Sequence, residues 1–357
     1  MKICCVILYL SILSANIAFS EEPATAGQAV KADTAAVLTA SDDSLYVPDS
    51  LFTYAGDPRY TLFGHNPLKK TDIKLVPSLI MGGTVGVLFY LQHVGQMNTI
   101  WEQTAEFHVY EDGKYALYAD KAGHFFGCYF TSYLFNEGFT AIGMNQDLSV
   151  ILGATFGLAY STYVEILDGY GINWGFCPSD WYADIAGAAF FVGQRYVPFL
   201  QNFTPKFTYV PANWHDNRKR VPNDMFIDDY SSHTLWLSAN VHNMLPDGWK
   251  KYWPDWLQLS FGYAARNLCD PYNPKCKDYK DTKLHVFDDG SSQYGNREFI
   301  VALDYNLVNL LPDGCNLWNW FKQSLNHIKF PAPAYVVGDK KPKFYLFYPL
   351  RINLTIY

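Results

Sequence analysis

The sequence predicts an α+β protein: a four-helix, small-residue bundle, membrane-associated, followed by an antiparallel β region. Two changes of texture predict this. From Ile73 onward, lightly charged apolar stretches of helical length follow one another. After Pro205 the apolar residues alternate at period two, the pattern of strands with two unlike faces. A short repeat inside the second half marks where strands end.

The helical stretches cover roughly 74–95, 120–142, 147–168 and 180–200. The first, LVPSLIMGGTVGVLFYL, is the most membrane-like. Gly153 and Gly157, Ala183 and Gly187, and Ala189 and Gly193 are pairs spaced four apart. Small residues at that spacing let helix backbones approach closely, in lipid or in a tight bundle.

In the β half, Leu257, Leu259, Phe261, Tyr263 and Ala265 share one side of a strand; Gln258, Ser260, Gly262 and Arg266 share the other. Segments 233–242, 297–307 and 344–357 read as further strands. The runs NVHNMLPDG (240–248) and NLVNLLPDG (306–314) repeat, each before a Trp-rich stretch. Their Pro-Asp-Gly endings predict turns with a left-handed glycine. Five or six strands are too few for an outer-membrane barrel. A sheet packed on the helices is preferred, with the barrel kept as an alternative.

The first twenty residues carry Lys2, an apolar run from Ile3 to Leu13 and the small residues Ala18 and Ser20, which is the layout of a secretory signal peptide. Residues 21–72 read as a leader and connector, 73–204 as the bundle and 205–357 as the β region. The expected location is the cell envelope, with the periplasmic face of the outer membrane favoured and the inner membrane open. The chain is 49% hydrophobic and 17% aromatic, with a net charge of −7, which offers nucleic acid no electrostatic footing. The expected partners are membrane lipid or another envelope protein. Beyond the leader the chain holds five cysteines, of which Cys269 and Cys276, bracketing a short loop, are the best disulfide pair.

Three polar motifs sit at helix ends: Asp120-Lys121 with His124, Glu165 with Asp168, and Asp180 with Asp184. Spacings of three and four put each set on one helix face. Short connections make neighbouring helices antiparallel, so all three motifs belong to one end of the bundle. Asp120 and Asp180 fit as N-caps. Glu165 and Asp168, at a helix C-terminus, face an unfavourable dipole and need a partner, such as Lys121 or a metal. Carboxylates with one imidazole suit a divalent cation, held by His124, Glu165, Asp168 and Asp184. The same groups suit acid–base work on a lipid or glycan head group, or a buried network that fixes helix register.

The runs DKAGHFFGCYFTSYLF, EILDGYG and SDWYADIAGA resemble the YfiM-like family of predicted periplasmic lipoproteins, over roughly residues 74–200. More distantly they are similar to VanZ-like membrane proteins. WLSANVHNMLP, WLQLSFGYAARNL, REFIVALDYNL and IKFPAPA resemble the family's long form, with a C-terminal β region. The motif residues carried over are Asp120, Lys121, His124, Glu165, Asp168, Asp180, Asp184 and Gly187. The resemblance implies envelope localisation and no established catalysis. Cys4 and Cys5 lie before or within the apolar run, not just after it, so cleavage near Ser20 without a lipid anchor is expected. The leading expectation is a structural, assembly or binding role at a membrane. The alternative is a metal- or carboxylate-dependent hydrolase or transferase acting on envelope lipid or glycan.

Overall fold

The computed structural model describes residues 45–215, 226, 228–269, 276 and 282–350. The expected signal segment, most of the leader and the chain from 351 onward lie outside the described residues.

Among the described residues four long helices are present: α1 (Leu75–Met97), α2 (Ala119–Ala141), α3 (Gln146–Asp168) and α4 (Pro178–Tyr196). Asn145 caps α3 by accepting from the Leu148 N–H, and Pro178 opens α4 at a position where its missing N–H costs nothing. Helices α2, α3 and α4 pack against one another. A Cβ on Gly153 would lie 2.8 Å from the Ser132 carbonyl oxygen, and one on Gly157 would lie 2.9 Å from the Ser132 nitrogen. One on Gly187 would collide with the Phe125 carbonyl. These glycines allow the backbones to touch. Cys128, Tyr129, Tyr133, Val150, Ala154, Ala188 and Phe191 fill the core between them.

The expected four-helix bundle is a packed trio with α1 set apart. Gly82, Gly83 and Gly86 of α1 have open space where a Cβ would be, so its small residues mediate no helix contact. Gln96 is its one buried residue, while Leu75, Val76, Leu79, Val87 and Tyr90 each expose more than half their surface. A hydrogen bond between His93 Nδ1 and the Tyr163 hydroxyl (2.6 Å) and the Phe89–Tyr163 ring contact tie it to α3. Both α1 and α3 are long and apolar enough to cross a membrane, by length and composition. Of the most apolar stretch of α3, 28% is buried within the protein, against none of that of α1.

A small hairpin, β1 (Thr53–Tyr54) and β2 (Asp57–Pro58), precedes the helices. After α4 comes a seven-stranded antiparallel sheet: β3 (Phe203–Tyr209), β4 (His233–Ala239), β5 (Leu257–Cys269), β6 (Lys283–Val286), β7 (Ser292–Tyr305), β8 (Ala332–Gly338) and β9 (Lys343–Tyr348). The order is β3-β4-β5-β7-β8-β9, with β6 also on β7. The Lys329 N–H donates to the Phe207 carbonyl (3.0 Å), which brings the lead-in to β8 back against β3 and curls the sheet. Cys269 and Cys276 form the expected disulfide.

One face of the sheet is buried, and it combines an ion-pair network with an apolar cluster. Lys206 and Asp304 form an ion pair at 2.9 Å with 1% of each side chain exposed. Ser238 and Ser260 both donate to Asp304, and Lys206 donates to Gln258. Trp236, Ile300, Val336 and Tyr348 pack beside this network.

The repeat has a structural meaning different from the expected turn. Asn240 and Asn306 cap short helices, α5 (Val241–Met244) and α7 (Leu307–Leu310). Asn306 and Asn309 donate to the Asp57 carboxylate at 2.6 and 2.7 Å, and Asn240 donates at 3.3 Å. Both copies therefore converge on the β1–β2 hairpin. Neither Gly248 nor Gly314 takes a positive φ. In the first copy Pro246 instead precedes α6 (Asp247–Lys250), so the Pro-Asp-Gly starts a helix.

Candidate functional site

Asp120, Lys121, His124, Glu165, Asp180 and Asp184 lie together at one end of the trio, where α2 and α4 begin and α3 finishes. Asp168 sits at the margin. Residues 98–118 wrap this end: the His108 N–H donates to the Gly169 carbonyl (2.9 Å), and the Phe176 N–H to the His108 carbonyl (3.0 Å). This wrap brings in Asp112, a further carboxylate with no periodic signal in the sequence.

The chain enters α2 through three consecutive left-handed residues, Ala116, Leu117 and Tyr118, with φ of 48°, 56° and 71°. Such backbone is costly for residues with a side chain and persists when the surroundings impose it. Here Ala116 and Leu117 are buried, and the Tyr263 hydroxyl of β5 donates to the Leu117 carbonyl. Neither Asp120 nor Asp180 is an N-cap. The caps are Tyr118 and Cys177, and both aspartates lie in the first helical turn.

Lys121 Nζ is 2.6 Å from Asp120 and 2.7 Å from Asp180, and also pairs with Asp112. It does not reach Glu165 or Asp168, contrary to expectation. The imidazole of His124 serves the other side: Nδ1 is 3.4 Å from Asp184 and 3.6 Å from Glu165, while Nε2 is 3.8 Å from both Asp120 and Asp180. Glu165 accepts from the Cys177 N–H (3.1 Å), so a carboxylate at the end of α3 gains the favourable N-terminus of α4. Asp168 accepts from the Trp101 indole (2.6 Å). From the sheet side the Tyr230 hydroxyl donates to Asp120.

Glu165, Asp180 and Asp184 are buried, and burial shifts each upward. Glu165 is pushed up to about 8. Burial and then Asp120 push Asp180 up to about 7. Asp184 rises for the same first cause. Burial raises Asp168 to about 6. Burial opposes the charge on His124, but Asp184, Asp120 and Asp180 outweigh it and hold its pKa well above the ordinary value. Asp120, also buried, is lowered by His124 and Lys121. Of the adjacent pair, Asp120 keeps its charge and Asp180 takes the proton first. Asp180 Oδ1 is close enough to Lys121 for an ion pair, but no hydrogen bond reaches it.

Among the described residues three overlapping sets could hold a cation: His124 with Glu165 and Asp184; His124 with Asp120 and Asp180; and Asp112 with Cys177 and Asp180. Asp168, expected as a ligand, belongs to none of these and is turned toward Trp101. Chemically, the site pairs an imidazole with carboxylates on both of its nitrogens, suited to binding a hard cation or to relaying a proton. Cys128, on the same face of α2, is buried and its thiol is pushed up to about 12 by that burial, which leaves it unreactive.

The family model described as predicted periplasmic lipoprotein (DUF2279) matches residues 108–194. The matched stretch runs from the wrap through α2 and α3 to near the end of α4, and so contains every residue of the cluster except Tyr230 and Trp101. The description is that of an envelope family of unknown function. No curated protein and no solved structure matches the chain.

Proposed function

We propose that this is an exported cell-envelope protein with a structural, assembly or partner-binding role at a membrane, held there by α1. The observation that carries the reading is α1 itself: 23 residues, predominantly apolar and free of Asp, Glu, Lys and Arg, with Gln96 alone buried. So apolar a helix belongs in a core or in lipid, and the described part of this protein has no core around it. The reading includes the finer resemblance to YfiM-like and, more distantly, VanZ-like proteins, and favours the periplasmic face of the outer membrane. Fractionation of cells expressing the full chain tests it. The protein stays with the membrane pellet through high salt, and recovery in the soluble periplasmic fraction contradicts the reading.

A second reading has its own observation, the His124 ring set between Glu165 and Asp184 on one side and Asp120 and Asp180 on the other. In this reading the cluster binds a divalent cation, and on that basis acts as a hydrolase or transferase on envelope lipid or glycan. Elemental analysis of protein purified without chelators finds stoichiometric metal that Glu165→Gln reduces. Metal-free wild-type protein removes the reading.

A further inference from the structure

Where the two Asn-rich repeats meet the β1–β2 hairpin, they border a cavity of about 100 Å³. It lies between the hairpin, the inner face of the sheet and the end of the helical trio remote from the carboxylate cluster. Val150 lines it, about 22 Å along α3 from Glu165. Its wall has two chemistries. Tyr129, Tyr133 and Phe191 supply rings from α2 and α4. Asn240 and Asn306 from the repeats, Gln258 of β5 and His327 supply polar groups, each more than nine-tenths buried. The charges around it are already matched. Arg59 pairs with Glu137 (3.0 Å), Arg195 pairs with Asp147 (2.8 Å), and Asp57 accepts from Asn240, Asn306 and Asn309. Burial lowers His327 to about 4, so its ring is neutral; with Nδ1 at the Pro205 carbonyl (3.4 Å), Nε2 is left as an acceptor.

One buried group is left over. The Tyr54 hydroxyl lies against Tyr129 and Gln194, in no hydrogen bond of proper geometry with any described residue. The Gln194 amide beside it is engaged by the Tyr129 hydroxyl and by the carbonyls of Leu200 and Phe203. A buried hydroxyl without a partner costs free energy, and a ligand hydroxyl would both donate to it and accept from it. An ion finds no unmatched counter-charge here, and a hydrocarbon would strand the amides and Tyr54. A neutral polyol suits both parts of the wall, with C–H groups on the rings and hydroxyls on the amides, imidazole and phenol. The volume is the share of about three waters in bulk liquid, which is the scale of glycerol.

We propose that this cavity binds a neutral polyhydroxylated group of about glycerol's size, as a free polyol or as the end of a glycan, with the Tyr54 hydroxyl as its anchor. The site is separate from α1 and from the carboxylate cluster, and stands whether or not either reading of those holds.

The test is saturation-transfer NMR on the purified full chain, with glycerol and glucose as probes. The wild type gives saturable transfer, with half-saturation in about the millimolar range. Transfer to glycerol alone identifies a free polyol; transfer to glucose, alone or in competition with glycerol, identifies the end of a glycan. Tyr54→Phe weakens binding about tenfold and leaves the melting temperature of the ligand-free protein unchanged, because the hydroxyl has no protein partner to lose. Gln146→Trp, at a half-buried position on the cavity's outer side, fills the space and abolishes the signal. It carries the test if Tyr54→Phe fails to fold. Saturable transfer that the variants leave undiminished places the polyol elsewhere and overturns the proposal. No saturable transfer to either probe leaves the cavity to water and overturns it as well.

Discussion

Tyr230, at the entrance to β4, donates its hydroxyl proton to the buried carboxylate of Asp120 at the start of α2. One hydrogen bond thereby joins the sheet to the carboxylate cluster of the helical trio. Ala116, Leu117, Ala119, Ala265 and Leu268 pack around Tyr230 and seal the junction. Replacing Tyr230 with Phe leaves this packing but removes the hydrogen bond to one oxygen of a buried carboxylate, whose other oxygen keeps Lys121. A loss of about 1–3 kcal/mol is expected, read as a lower melting temperature. An unchanged melting temperature contradicts the junction's role.

The second prediction concerns pH. Glu165 is held at about 8 in the folded chain, above its ordinary 4.5. A carboxylate raised in this way favours the folded state fully below its unfolded pKa. That contribution disappears as pH rises through the folded value. Glu165→Gln mimics the protonated form, so the variant gains on the wild type between pH 4.5 and 8 in the presence of chelator. The difference in melting temperature, followed across that window, checks this. A constant difference denies the shift.

Two buried histidines act in the opposite sense. His233 and His327 are each lowered by burial to about 4. Their neutral forms support the fold above pH 6.5, and this support is lost as pH falls through about 4. The gap in stability between wild type and His327→Asn therefore narrows on acidification, as measured by denaturant midpoints.

Helix packing gives a contrasting pair. Gly187→Ala drives a methyl into the Phe125 carbonyl and prises α4 from α2, at a cost of about 1–3 kcal/mol or more. Gly83→Ala on α1 meets nothing and raises helix propensity by about 1 kcal/mol. Equal effects at the two sites contradict the separation of α1 from the trio.

Helix positions and strand periods were legible because they depend on local pattern. The face shared by Asp120 and His124, or by Glu165 and Asp168, follows from spacing alone. The partners did not follow. Asp112 reaches Lys121 from an irregular wrap, and Tyr230 arrives from another region of the chain; neither placement has a periodic signature. Alternation in β5 separated Phe261 from Ser260 but could not say which faces inward. That depended on the Lys206–Asp304 pair, which forms across strands far apart in sequence. Small-residue spacing predicted close packing in α3 and α4, where Gly157 and Gly187 meet α2; the glycines of α1 meet nothing, and sequence alone does not show whether a neighbour is present.

The central claim is that α1 holds the protein at a membrane. Flotation of the purified full chain with lipid vesicles, comparing wild type with Leu79→Gln, Val87→Gln, tests it most directly. Both positions are exposed, so the fold is unaffected. The wild type rises with the vesicles and the variant is depleted from the floating fraction. Equal flotation of the two proteins, or a wild type that stays at the bottom of the gradient, contradicts the account.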